Sequence, residues 1–175
     1  MKVPAEMKKL LLTVCLASSP YMAFAGSPDG LQLLILGTSQ ASAVKPKIAQ
    51  YLVEYEKSQG NFDCDDIMLN IGSAMLEPVT AISPEKAMLS VSDNKHRAAL
   101  SKALASYRDP QHKRGFDGAL LYDVQGSSLK FYGISAWSKE KIYRSEVKAT
   151  DWDNKEKFRL AMCRAMAEMP VLQAP

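Results

Sequence analysis

A basic start, a short apolar run and a closing pair of small residues decide how much of this chain is available to fold. Met7-Lys8-Lys9 precedes the run Leu10–Leu16, and the stretch closes on Ala23-Phe24-Ala25. Small residues at the −3 and −1 positions suit the shallow pockets of a signal peptidase, and a run this short does not span a bilayer as a permanent helix. The pattern predicts a signal peptide over residues 1–25, with cleavage between Ala25 and Gly26, and one globular domain over residues 26–175. Met7 also reads as a start, because Met7–Ala25 alone makes a complete signal. The competing reading of the run is a buried N-terminal helix. Cys15 raises lipidation, but a lipidated Cys follows a small residue at the end of the apolar stretch. Here Val14 precedes it, and it lies within the run.

Cleavage changes both charge and cysteine count. The leader carries Lys2, Lys8 and Lys9 against Glu6, a net of +2; the whole chain is +3, which leaves +1. The basicity is mostly targeting charge and gives no warrant for nucleic-acid binding or for attraction to an anionic membrane. Of three cysteines, Cys64 and Cys163 remain. Two cysteines in an oxidising compartment predict one disulfide. It closes a loop of about 100 residues, for which the chain-entropy model gives roughly 4–5 kcal/mol. Neither cysteine has a Cys or His neighbour at ligand spacing, so no metal site is expected. After cleavage no stretch is apolar and long enough to span a membrane.

The apolar pattern divides the domain into two textures. Leu31, Leu34 and Ile35 suggest a short helix ending near Gly37. Ile48, Tyr51, Leu52 and Tyr55 fall at i, i+3, i+4 and i+7, one face of a helix that stops at Gly60. Asp63, Asp65 and Asp66 read as the acidic start of another helix carrying Ile67, Met68, Ile71 and Met75, stopped by Pro78. Ser83-Pro84-Glu85 is an N-cap, a first-turn proline and an early acid. Ser92-Asp93 starts a helix with Leu100, Leu104 and Tyr107.

Beyond Asp109-Pro110 the texture alternates. Leu120, Tyr122 and Val124 precede the turn Gln125-Gly126-Ser127-Ser128, and Leu129, Phe131, Tyr132, Ile134 and Trp137 follow it, which is a hairpin. A third strand is expected over 141–149. Asp151 or Asp153 then caps a final helix with Phe158, Met162, Ala165, Met166 and Met169 on one face. The expected fold is α+β: N-terminal helices and a C-terminal helix packed on a three-stranded antiparallel meander. The disulfide would pin the start of the Asp65–Glu77 helix to the last one.

The chemistry-bearing residues are weak signals. Asp63, Asp65 and Asp66 do not make a calcium loop, because Ile67 and Met68 occupy its fifth and sixth positions. Asp151, Asp153 and Asn154 fail in the same way, with Lys155 at the fifth. There is no nucleophile motif beside a histidine, no C-x-x-C spacing, and no cofactor signature. His96 and His112 read as surface residues. Met68, Met75, Met88, Met162, Met166 and Met169 fit helical core spacing. Glu77, Glu85, Asp117 and Asp123 are the acids available to a carboxylate hydrolase. The one charge concentration outside the leader is Arg108, His112, Lys113 and Arg114, in the loop between the two textures, and it suits an acidic protein or an anionic envelope polymer. These residues predict a non-enzymatic periplasmic or secreted protein-binding domain of the inhibitor, immunity or secretion-accessory type, whose partner is another bacterial envelope protein. A small envelope hydrolase is the alternative.

Overall fold

The computed structural model describes residues 30–57, 61–64, 67–76, 82–107, 115–138 and 141–167, with the backbone course alone for those within 53–74. The elements are β1 (Leu31–Gly37), α1 (Lys45–Lys57), β2 (Asn61–Cys64), β3 (Ile67–Met75), α2 (Pro84–Leu89), α3 (Asn94–Ser106), β4 (Gly118–Gln125), β5 (Ser128–Ser135), β6 (Tyr143–Lys148) and α4 (Lys155–Ala167). A 3-10 turn, Ser39–Val44, joins β1 to α1, and a second, Ala149–Asp151, follows β6.

The class is mixed α+β. The expected three strands are the outer half of a six-stranded sheet ordered β2-β3-β1-β4-β5-β6. The antiparallel meander β4-β5-β6 forms where alternation and the Gly126 turn placed it. The turn needs glycine because φ at Gly126 is +60°, a left-handed value that costs a Cβ-bearing residue energy. The other half corrects the expectation of helices. Leu31–Gly37 is a central strand, parallel to both β3 and β4. Asp63 lies in β2 rather than at a helix start, and Ile67–Met75 is a strand paired with β1 and β2. The Asp63-led helix therefore does not exist. Asp65, Asp66, Gly60 and Pro78 lie outside the described residues.

Two crossovers explain the layers. The first leaves β1 through α1 and returns at the β2–β3 hairpin; the second leaves β3 through α2 and α3 and returns at β4, on the other side of β1. The sheet is thus covered on both faces. On one, Ile48, Tyr51 and Leu52 of α1 and Phe158, Met162 and Met166 of α4 pack on Leu33, Ile35, Leu120 and Phe131. Phe158 stacks on Tyr51 at 4.9 Å between ring centroids and meets Phe131 edge-on at 5.7 Å. On the other, Ala87 of α2 and Leu100 and Leu104 of α3 pack on Leu34, Leu36, Leu121 and Ile134.

Local signals held where they were specific. Ser83 caps α2 through its hydroxyl, and Asp93 caps α3. The last helix is capped by the Asn154 side chain, which accepts from the Lys157 amide, not by Asp151 or Asp153. Asp151 belongs to the preceding 3-10 turn, and Asp153 pairs with Lys47. No helix among the described residues is long and apolar enough to cross a membrane.

Candidate functional site

In open sheets with parallel strands, ligands gather beyond the carboxyl ends of strands whose connections leave to opposite faces. Here β1 and β3 are such neighbours. Thr38 is the first residue beyond β1, and its amide donates to the Tyr122 carbonyl at 3.1 Å, which continues the pairing with β4. Gly37 precedes it because the Tyr122 ring lies where a Cβ would stand.

Thr38 joins three residues of β4 and β5 on the face that α2 and α3 cover only in part. Its hydroxyl donates to Asp123 Oδ1 at 2.5 Å. Gln125 Nε2 donates to Asp123 Oδ2 at 3.0 Å and lies 3.3 Å from the Tyr132 hydroxyl. Burial holds the Tyr132 phenol above its ordinary value near 10, so it stays neutral, and the charge of Asp123 adds to that effect. Both Asp123 oxygens accept hydrogen bonds from neutral donors. The arrangement is a small hydrogen-bonded cluster of Thr38, Asp123, Gln125 and Tyr132.

Of the four acids considered for hydrolysis, Asp117 and Asp123 stand far apart. Asp117 immediately precedes β4 and Asp123 lies near its far end, six positions on, about 20 Å at 3.3 Å per residue. Glycoside cleavage needs its two carboxyl groups within about 5–9.5 Å. Asp117 is 5% exposed, and its Oδ2 accepts from the buried Gln32 amide at 2.9 Å, a structural role at the amino edge of the sheet. Glu85 is exposed in the first turn of α2. Glu77 lies outside the described residues. Among those described, no three His, Cys, Asp or Glu side chains gather to hold a metal ion.

No protein-family model, curated protein or solved structure matches this chain.

Of the other residues singled out above, Cys64 ends β2, and Cys163 is fully buried on α4, which packs against β2 as well as β5 and β6. Cys163 is held in a disulfide and is not a free thiol. His96 is an exposed surface residue of α3, 2.6 Å from the Asp93 carboxylate. Met162 and Met166 are core residues, and Met75 and Met88 pack partly buried against the second core. Ala23, Ala25 and Gly26, and the loop residues Arg108, His112, Lys113 and Arg114, lie outside the described residues.

The base of that loop is described. The Tyr107 and Phe116 rings stack at 4.8 Å between centroids, and the Phe116 amide donates to the Leu104 carbonyl at 3.0 Å. Tyr107 and Phe116, the described residues flanking 108–114, therefore lie side by side at one point of the fold. Beside that point the Ala136 amide donates to the Asp117 carbonyl at 2.9 Å, so the next residue, Trp137, stands next to the loop's return. Trp137 is 46% exposed. Thr38, Gln125 and Trp137 were not recognisable as surface groups from the sequence, nor Tyr132 as a buried hydroxyl beside them. The one available signal, Gly-Thr after an apolar run, speaks only once that run is known to be a strand.

Proposed function

We propose that this chain is an exported, non-enzymatic protein-binding domain of the bacterial envelope, processed after Ala25. Its contact surface is the end of the sheet where Trp137 adjoins the base of the loop carrying Arg108, His112, Lys113 and Arg114. The juxtaposition of Trp137 with that base, through the Ala136–Asp117 hydrogen bond, carries the reading. Trp and Arg are the residues most enriched among those that dominate binding energy at protein interfaces, where an aromatic anchor fills a pocket inside a charged rim. The fitting partner is a protein with an apolar pocket rimmed by acids. The Cys163 disulfide supports export, because such bonds persist in oxidising compartments. Cys64 is its proposed partner: cleavage removes Cys15, and α4 packs on the strand that Cys64 ends.

Capture from envelope extract with the processed chain as bait tests this reading. The wild type should retain one reproducible acidic protein, and Trp137→Ala should lose it with an unchanged far-UV spectrum. Retention unaffected by Trp137→Ala and by a loop carrying Lys113→Ser and Arg114→Ser contradicts the assigned surface. Reproducible turnover of an ester, peptide or glycan that disappears in Asp123→Asn establishes a hydrolase instead.

A further inference from the structure

Among the described residues the sheet ends at β6, and the direction of its outward groups follows from one hydrogen bond. The Ala149 amide donates to the Ser127 carbonyl at 2.7 Å, so Ala149 faces β5. In an antiparallel pair such positions recur at every second residue. Tyr143, Ser145 and Val147 therefore turn their backbone groups toward β5, and Arg144, Glu146 and Lys148 turn theirs away from the sheet. Those three side chains are exposed. Among the described residues no strand pairs with the outer side of β6.

The charges cross the sheet in a row. Asp123 of β4 stands opposite Lys130 of β5, and Lys130 stands opposite Glu146 of β6. The sequence negative, positive, negative stops at the edge. One position along, Arg144 stands opposite Tyr132, with its guanidinium 3.3 Å from the Val91 carbonyl, which holds it at the margin. A strand added to this edge continues both rows if it places a cation opposite Glu146 and an anion opposite Arg144. The segment itself meets that demand when turned about an axis through Ser145. Arg144 then faces Glu146 of the second copy, and Glu146 faces its Arg144.

We propose that the processed chain forms a symmetric dimer by antiparallel pairing of β6 with β6 of a second copy, centred on Ser145. Arg144 and Glu146 are the outward-facing residues that this register pairs, so each pair exchanges backbone N–H···O=C bonds as well as opposite charges. Charged side chains on an edge discourage pairing with unrelated strands; alternating signs at these two positions admit a strand of the same sequence. The interface is isologous, as a two-fold contact requires.

Charge exchange tests the register directly, with the processed chain followed by sedimentation velocity over a concentration series and folding checked by far-UV spectroscopy. The wild type should sediment as a dimer. Arg144→Glu and Glu146→Arg should each shift it to monomer, by placing like charges opposite one another twice. An equimolar mixture of the two variants should restore a dimer containing one of each, and the double variant should dimerise alone. Lys148→Glu, outside the paired residues, should leave the dimer intact. A wild type that stays monomeric at all concentrations overturns the proposal, as does a dimer indifferent to both reversals. Monomeric protein whose Arg144→Glu variant loses a captured partner assigns the edge to a different protein and also overturns it.

Discussion

Gly115 has no room for a methyl group. A Cβ there would lie 2.7 Å from the Ala105 carbonyl oxygen and 2.9 Å from that of Leu104, and both are backbone atoms of the α3 terminus. Gly115→Ala must displace the chain where it returns to the Tyr107–Phe116 stack. It should lower unfolding free energy by about 1–3 kcal/mol in a denaturant titration, the usual range for overpacking. A loss within error would show that the return of the basic loop is loosely held. Gly126 is the opposite case. Nothing lies within 4 Å of a Cβ there, and its positive φ alone calls for glycine. The turn was legible in the sequence for that reason: conformation at Gly126 is a local property, whereas the close approach at Gly115 depends on a helix that a single-residue reading does not place beside it.

The same distinction separates elements that sequence periodicity identified from those it did not. Strands β4, β5 and β6 pair through neighbours in the chain, and α1, α3 and α4 each bury one face; these are local, periodic signals. β1 is buried on both faces, with Leu33 and Ile35 in one core and Leu34 and Leu36 in the other. A strand of this kind has no alternation, and a short apolar run does not separate it from a helix. Ile67, Met68, Ile71 and Met75 fall at helical spacing, yet pairing with β1 and β2 makes Ile67–Met75 a strand. Tertiary pairing overrides local preference there. The Thr38–Asp123 patch was hidden with β1, since it exists only once β1 and β4 lie side by side.

At α3 the cap was legible and makes a pH-dependent contribution. Asp93 accepts from the Lys95 amide at 2.7 Å and is hydrogen-bonded to His96. The His96 contact and then the Lys95 amide hold its carboxyl below the ordinary 3.8. Because the folded value is depressed, the stabilisation is complete above the unfolded value and is lost as pH falls through the folded one. The melting temperature of wild type should exceed that of Asp93→Ala at pH 5, and the margin should narrow steadily below about pH 4. A margin that stays level down to pH 2 would show that Asp93 caps α3 without its charge.

For the whole molecule, α4 is the element that spans the sheet. It packs against β6, β5, β3 and β2, and Phe158, Met162, Cys163 and Met166 on it are fully buried. The proposed bond from Cys163 to Cys64 would tie this helix to the β2 edge and close a loop of about 100 residues. From sequence periodicity Cys64 is expected at the start of a helix, where the structure has the end of a strand. Replacing both cysteines by Ser should cost about 2–5 kcal/mol while the far-UV spectrum keeps its shape. A double variant as stable as wild type would leave the proposed staple without an energetic role.

The chain is proposed to be exported, processed and oxidised before it binds its partner. One measurement addresses all three states: the intact mass of the protein recovered from the envelope of expressing cells, before and after treatment with a thiol-alkylating reagent under denaturing conditions. The expected mass is that of residues 26–175 less two hydrogens, unchanged by alkylation until a reductant is added. A retained leader, an added lipid mass on Cys15, or two cysteines that alkylate without reduction would contradict it.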